Sequence, residues 1–171
     1  MLRWFLRRQL DAAERKLGAP IDYAREMLED SPGLLLRFFA GTALLGRRRR
    51  APLDVWHVAA LAATKHEDCG VCVQIAVNLA RKDGVPAEVL RAVLDGAPER
   101  LPEPLAEACR FATAVCAGDG SEAPWREALL ARHGHEALAE LSLAIATARV
   151  FPTVKRGMGH ALSCSVVPVR L

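Results

Sequence analysis

Residues 53–72 read LDVWHVAALAATKHEDCGVC, an apolar stretch followed by a short polar turn and a pair of cysteines. Small and apolar side chains occupy nearly every position of the first part, and His57 is the one ionisable side chain between Asp54 and Lys65. A helix that is apolar all round lies at the centre of a bundle, because no face of it is solvated. We therefore predict a central buried helix, joined by the polar turn to an antiparallel second helix that begins at the cysteines.

The composition of the whole chain also favours an all-α fold. The 171 residues are enough for one domain, and 51% of them are hydrophobic. Ala, Leu, Arg and Glu are frequent, whereas β-branched and aromatic residues are sparse, a balance typical of helices. Glycine and proline breaks predict helices at 2–17, 21–29, 33–45, 53–65, 69–82, 87–94, 105–117, 121–132 with Ser121 as the cap, and 135–160 with a bend at Pro152.

The chain is predicted to be one structural domain in two parts. Residues 1–50 form an N-terminal helical extension packed on the core, and residues 51–171 form the main helical domain, whose tail from Val166 lies extended on the surface. The apolar faces of 2–10 and 33–45 are broader than a bundle of this size covers by itself. We therefore expect a homo-oligomer.

The strongest chemical signal is the Cys69-Gly70-Val71-Cys72 pair. A spacing of three residues puts both sulfur atoms on one helix face, one turn apart, within reach of a disulfide. The first turn of a helix also stabilises a thiolate over a thiol. Two alternatives remain open: a pair of buried structural cysteines, and a metal site, which would need two more ligands and has only His66 nearby.

The other three cysteines are predicted to be packing residues. Cys109 and Cys116 share a helical stripe with apolar side chains, and Cys164 lies near the tail with no close ionisable neighbour.

Thiol redox chemistry also needs groups that accept and donate protons. The candidates are Glu67, directly before the cysteine helix, and His57 on the buried helix. A polar side chain on an apolar helix must find a partner, so a hydrogen-bonded core histidine without a catalytic role is an equal interpretation of His57.

Charge and segment lengths narrow the range of partners. A net charge of +3 is too small to demand a nucleic-acid partner, and the run Arg47–Arg50 is interpreted as a solvated loop. The apolar segment 33–46 is short and contains Arg37, so no membrane span is predicted, and arginines near the start interrupt any signal peptide. We expect a cytoplasmic protein without a cofactor or metal, in a compartment that keeps thiols reduced.

Residues 53–96 resemble the alkyl hydroperoxidase D-like branch of the carboxymuconolactone decarboxylase family. The resemblance is carried by the apolar helix, the Cys-x-x-Cys opening of the next helix, and the segment RKDGVP at 81–86; the segment VFP at 150–152, before Lys155-Arg156, is similar more weakly. It implies an all-α bundle assembled as a trimer or hexamer, with a dimer as a further option. It also implies reduction of a peroxide or disulfide substrate, with Cys72 attacking, Cys69 resolving, and an external thiol as electron donor.

The sequence departs from the family pattern at two positions. The family has a glutamate twelve residues before the first cysteine, where this chain has His57, and a histidine four residues after the second, where it has Ala76. Two other functions therefore stay open. One is a decarboxylase-like enzyme of the same family acting on a small lactone, and the other is a catalytically weak helical oligomer that binds a ligand or partner.

Overall fold

The computed structural model describes residues 1–162 and 169–171, and within those ranges every regular element is helical. The prediction of an all-α fold is confirmed. Cys164 and the first half of the predicted extended tail, residues 166–168, lie outside the described residues. The helices are α1 (Leu2–Leu17), α2 (Asp22–Asp30), α3 (Pro32–Leu45), α4 (Leu53–His66), α5 (Gly70–Lys82), α6 (Ala87–Asp95), α7 (Glu103–Ala117) and α8 (Ala123–Gly157), with one 3-10 turn at Pro98–Arg100.

Helix α4 is the centre of the fold, as its composition predicts. It packs against α5, α6, α7 and α8, and it buries eight of its side chains, His57 and Thr64 among them. The larger of two hydrophobic clusters surrounds it and includes Val58, Leu61 and Leu141. The turn after α4 reverses the chain, so α5 returns antiparallel to α4.

The C-terminal part confirms one predicted break and corrects the helix ends around it. The break predicted between residues 132 and 135 is a kink at Gly134, whose φ of 81° and ψ of 173° lie outside the helical region and suit glycine, and this kink divides α8 into two helical segments. Ser121 does not cap the first segment. The helix begins at Ala123, and the Ser121 amide donates to the Asp119 carboxylate instead, in a local turn. Pro152 lies inside the helix, which ends at Gly157 and not at residue 160.

The N-terminal helices α1, α2 and α3 form a second hydrophobic cluster around Tyr23 and Leu28. Phe151 and Val154 of α8 pack against this cluster. The N-terminal residues are therefore joined to the end of α8, which carries part of the site described below.

The arginine run Arg47–Arg50 is exposed but anchored. The backbone amides of Arg49, Arg50 and Ala51 donate to the Glu140 carboxylate of α8 at 2.9–3.2 Å. Burial opposes the charge of Glu140, but these hydrogen bonds outweigh it and lower the pKa of the carboxyl. The loop therefore holds the start of α4 against α8.

Helix α8 is also long and apolar enough, by length and composition, to cross a membrane. In this fold it packs against α4 and α7 and buries Leu129, Leu141 and Ile145 in the main core. Core helices of this kind pass the same test of length and hydropathy.

Candidate functional site

The two cysteines lie at the start of α5, as predicted. Cys69 is the N-cap residue, Cys72 lies in the first turn, and their Sγ atoms are 2.6 Å apart. Both cysteines are buried, Cys69 completely and Cys72 with 7% of its surface exposed. The chain enters the helix through Asp68, the one described residue other than glycine with a positive φ, 48°.

The pair favours one thiolate. The hydrogen bond that joins the two sulfur atoms favours the charged form of Cys69, burial opposes it, and the backbone amide of Cys72 and the positive charges of Lys155 and Arg156 favour it further. Together these effects lower the pKa of Cys69 from 9.0 to about 6. By contrast, burial raises the pKa of both Cys109 and Cys116. Cys69 and the two cysteines of α7 therefore lie in environments that shift the thiol pKa in opposite directions.

A buried lysine lies at the same end of the site as the cysteine pair. Lys155 of α8 is only 4% exposed, and among the described residues no carboxylate lies within ion-pair distance of its ammonium. Its ammonium lies 5.5 Å from the centroid of the Tyr23 ring. A buried charge needs a compensating partner. The thiolate of the cysteine pair supplies the opposite charge.

Tyr23 of α2 completes this end of the site. The ring is 4% exposed. Burial, and then the negative charges of Cys72 and Cys69, raise the pKa of its phenol well above the ordinary range. The phenol is therefore protonated at neutral pH, next to the thiols and to the Lys155 ammonium.

Glu67 is held by two arginines of α8. Arg149 Nε donates to one of its carboxylate oxygens at 2.6 Å, and Arg156 Nη1 donates to the other at 3.3 Å. Burial raises the pKa of Glu67, but the hydrogen bonds from the arginines outweigh it and the net shift is downward. Glu67 therefore fixes the turn between α4 and α5 to α8 as a carboxylate, and this turn carries Cys69.

His57 lies toward the opposite end of α5. Its Nε2 is 2.8 Å from the Asp83 carboxylate, at the C-cap of α5. Asp83 follows Cys72 by eleven residues, which corresponds to about 16 Å along a helix axis. The structure therefore gives His57 a partner and separates that pair from the thiols.

An apolar cavity of about 380 Å³ connects the two ends. Cys72, Lys155 and Tyr23 line one end, while Trp56 and His57 line the other. The walls between them are almost entirely hydrocarbon, from Phe39, Ile75, Ala76, Leu79 and Phe151. Cys72 is thus the member of the pair that a bound molecule would meet.

A metal centre finds no support in the described ranges, where no group of three or more His, Cys, Asp or Glu side chains is arranged to hold a metal ion. His66, the additional ligand considered from the sequence, is exposed.

Comparison of the chain with protein-family models, with curated proteins and with solved structures found no match. The case for function therefore depends on the residues of the site. Sequence reasoning found Cys69, Cys72, His57 and Glu67, but it missed Tyr23, Asp83 and Lys155. The sequence does contain a signal for Lys155. This lysine follows Phe151 by four residues, so it lies on the apolar stripe of α8, where a charged side chain needs a buried partner.

Proposed function

We propose that this protein is a thiol-dependent peroxidase or disulfide oxidoreductase on an alkyl hydroperoxidase D-like helical fold. The observation that carries the proposal is the pair of sulfur atoms 2.6 Å apart at a helix start, opening through Cys72 onto an apolar cavity. No cofactor is needed for this chemistry, and a cytoplasmic location, where thiols are kept reduced, suits it.

In the proposed reaction the shared proton moves to Cys69, leaving Cys72 as the thiolate. The Cys72 sulfur attacks the outer oxygen of a hydroperoxide, the O–O bond breaks, and Cys72 becomes a sulfenic acid. The alkoxide that leaves takes a proton from Lys155 or Tyr23, which lie at this end of the cavity. We assign proton delivery to them because Glu67 and His57 are engaged by other partners.

The second step closes the disulfide. The Cys69 sulfur attacks the Cys72 sulfur, the S–O bond breaks, and the hydroxyl leaves as water with the Cys69 proton. An external dithiol then reduces the Cys69–Cys72 disulfide by exchange and is itself oxidised. With a disulfide substrate, Cys72 attacks one of its sulfur atoms and Cys69 resolves the mixed disulfide in the same way.

The test is to add one equivalent of cumene hydroperoxide to the reduced protein and map the products by mass spectrometry. We expect a Cys69–Cys72 disulfide in the wild type and in Cys109→Ser and Cys116→Ser, which are the matched controls. Cys72→Ser is expected to form no disulfide and to lose turnover. If the wild type forms no Cys69–Cys72 bond, and Cys72 reacts with iodoacetamide no faster than Cys109 and Cys116, the redox function is wrong.

The decarboxylase-like alternative would leave the cysteine pair without a role. A catalytically weak oligomer that binds a ligand would keep its binding after Cys72→Ser, so the same variant separates it from an oxidoreductase.

A further inference from the structure

The ammonium of Lys155 lies at the wall of the apolar cavity. The residue is 4% exposed, and its ammonium meets no carboxylate among the described residues. It lies 5.5 Å from the centroid of the Tyr23 ring and is close enough to the cysteine pair to favour the thiolate of Cys69. Lys155, Tyr23 and Cys72 all line the same end of the cavity. The charge is therefore placed where the head group of a bound molecule would lie.

The Tyr23 hydroxyl is a second donor at this end. Burial and the charges of the cysteine pair keep the phenol protonated by raising its pKa, and no hydrogen bond of the hydroxyl is found in the described ranges. Neither the Tyr23 hydroxyl nor the Lys155 ammonium belongs to the polar atoms that are fully enclosed without a partner. Both donors therefore keep accessible surface, and a head group in the cavity can reach them.

The rest of the cavity suits an unbranched hydrocarbon chain. On α8 the lining residues Lys155, Phe151 and Thr147 are spaced by four, so they follow one stripe over two turns, about 12 Å. On α5 the lining extends from Cys72 to Leu79 over about 10 Å. The volume of about 380 Å³ is that of a site for a small molecule. A molecule with its head group at Lys155 therefore extends its body along apolar walls.

We propose that the cavity binds a straight-chain aliphatic carboxylate, with the carboxylate against Lys155 and Tyr23 and the hydrocarbon chain along α8. An ammonium and a phenol supply one positive charge and a donor for each of the two oxygens. A phosphate monoester carries more charge and would need a further cation, and Arg156, the next residue in the chain, is engaged by Glu67. The proposal goes beyond the redox function and does not depend on turnover.

The carboxylate and the thiolate compete for the same positive charge. While the cysteine pair carries a thiolate, its negative charge opposes a second anion beside Lys155. Loss of the thiolate, by oxidation of the pair or by substitution of both cysteines, leaves the ammonium buried without an opposite charge, which is unfavourable. The carboxylate is therefore expected to bind more tightly when the thiolate is absent.

The experiment measures binding by calorimetry. Octanoate is titrated at pH 8 into the wild type and into the double variant Cys69→Ser/Cys72→Ser, with octanamide as the neutral ligand of the same shape. We expect the double variant to bind octanoate about tenfold more tightly than octanamide, and about tenfold more tightly than the wild type does. Each methylene added from hexanoate to decanoate should tighten binding by up to about fourfold.

Variants of the wall test where the ligand lies. Lys155→Met in the double variant should remove the preference for octanoate over octanamide, whereas Lys82→Met, at an exposed position, should leave it unchanged. Tyr23→Phe should weaken octanoate binding in the same direction as Lys155→Met. Ala76→Phe places a ring in the cavity away from Lys155, and it should reduce the affinity for decanoate about tenfold or more, because the chain loses its space.

Several results would overturn the proposal: equal affinity for octanoate and octanamide, no gain with chain length, an unchanged preference in Lys155→Met, tighter binding of octyl phosphate, or no gain in the double variant over the wild type. The ligand comparisons need no substitution at position 155, so they hold even if that variant does not fold. Peroxide-driven formation of the Cys69–Cys72 disulfide is measured in parallel. Failure of that reaction with octanoate binding intact would remove the redox function and leave the carboxylate site.

Discussion

The ammonium of Lys155 lies 5.5 Å from the centroid of the Tyr23 ring, and both residues lie beside the cysteine pair at the start of α5. The contact joins the end of α8 to the N-terminal helices. It also brings a buried positive charge to a thiol pair whose proton the charge helps to displace. Predictions about this charge can be tested on the purified protein.

Removing the Lys155 charge should raise the pKa of Cys69, the thiol whose charged form Lys155 favours. An opposite charge nearby shifts a pKa by roughly 1–3 units, so Lys155→Met should move the midpoint of the pH–alkylation curve upward by about one pH unit. The measurement is the rate of iodoacetamide labelling between pH 5 and 9, resolved by cysteine. Lys82→Met, at an exposed position, is the control. An unchanged midpoint in Lys155→Met would contradict the conclusion that the Lys155 charge stabilises the thiolate.

The same thiolate should make the stability of the reduced protein depend on pH. Because the pKa of Cys69 falls from 9.0 to about 6 on folding, the unfolded chain binds the proton more tightly than the native chain. The free energy of unfolding therefore rises with pH between about 6 and 9, and the contribution is lost as the pH falls through 6. Urea unfolding is measured for the wild type and for Cys69→Ser at several pH values. The difference between their free energies of unfolding gives the contribution of the Cys69 thiolate. Parallel curves for the two proteins would show that it is absent.

Neutralising Glu67 should destabilise the fold. Glu67→Gln removes the charge that Arg149 and Arg156 contact, and we expect a loss of about 1–2 kcal/mol in the free energy of unfolding. Glu136→Gln, whose exposed carboxylate pairs with Arg50, should cost less than about 0.5 kcal/mol. Denaturant titration compares the free energies of unfolding of the two variants. Equal small losses would mean that Glu67 is not a clamp between the α4–α5 turn and α8.

The separation of His57 from the thiols predicts that Asp83→Asn has little effect on thiol reactivity. The substitution weakens the hydrogen bond to His57 Nε2, but the pair lies far along α5 from Cys72. The pH–alkylation curve of Cys72 should match that of the wild type within about 0.3 pH units, a shift worth about 0.4 kcal/mol. A large shift would instead support His57 as the proton carrier for the pair.

We also propose that the protein assembles as a homo-oligomer. Trp4 and Phe5 on α1, and Leu36 and Leu44 on α3, are exposed, and apolar side chains at this density favour a protein contact. Light scattering should show a dimer, trimer or hexamer at micromolar concentration, and Leu36→Lys with Leu44→Lys should shift it toward the monomer. A monomeric wild type would refute the assembly.

The sequence by itself determined the helices and the position of the cysteine pair. A segment that is apolar all round and shorter than a membrane span is typical of a central helix, which is why α4 could be predicted without a structure. The three-residue spacing and the helix start could likewise be read locally, because they depend on the backbone of one element. The break at Gly134 was also predicted correctly, because only glycine adopts that backbone conformation readily. The misplaced Ser121 cap shows the limit of the approach, since the Ser121 amide pairs with Asp119 in a local turn and the helix begins two residues later, at Ala123.

Only the tertiary structure decided what surrounds the cysteines. Lys155 and Tyr23 are more than a hundred residues apart in the chain, and they meet because the N-terminal helices pack against the end of α8. The partners of His57 and Glu67 could not be predicted from the sequence either. Asp83 contacts His57 because α5 runs antiparallel to α4, and Arg149 contacts Glu67 from α8. Contacts of this kind depend on how helices are arranged in space, and no periodicity within one helix encodes them.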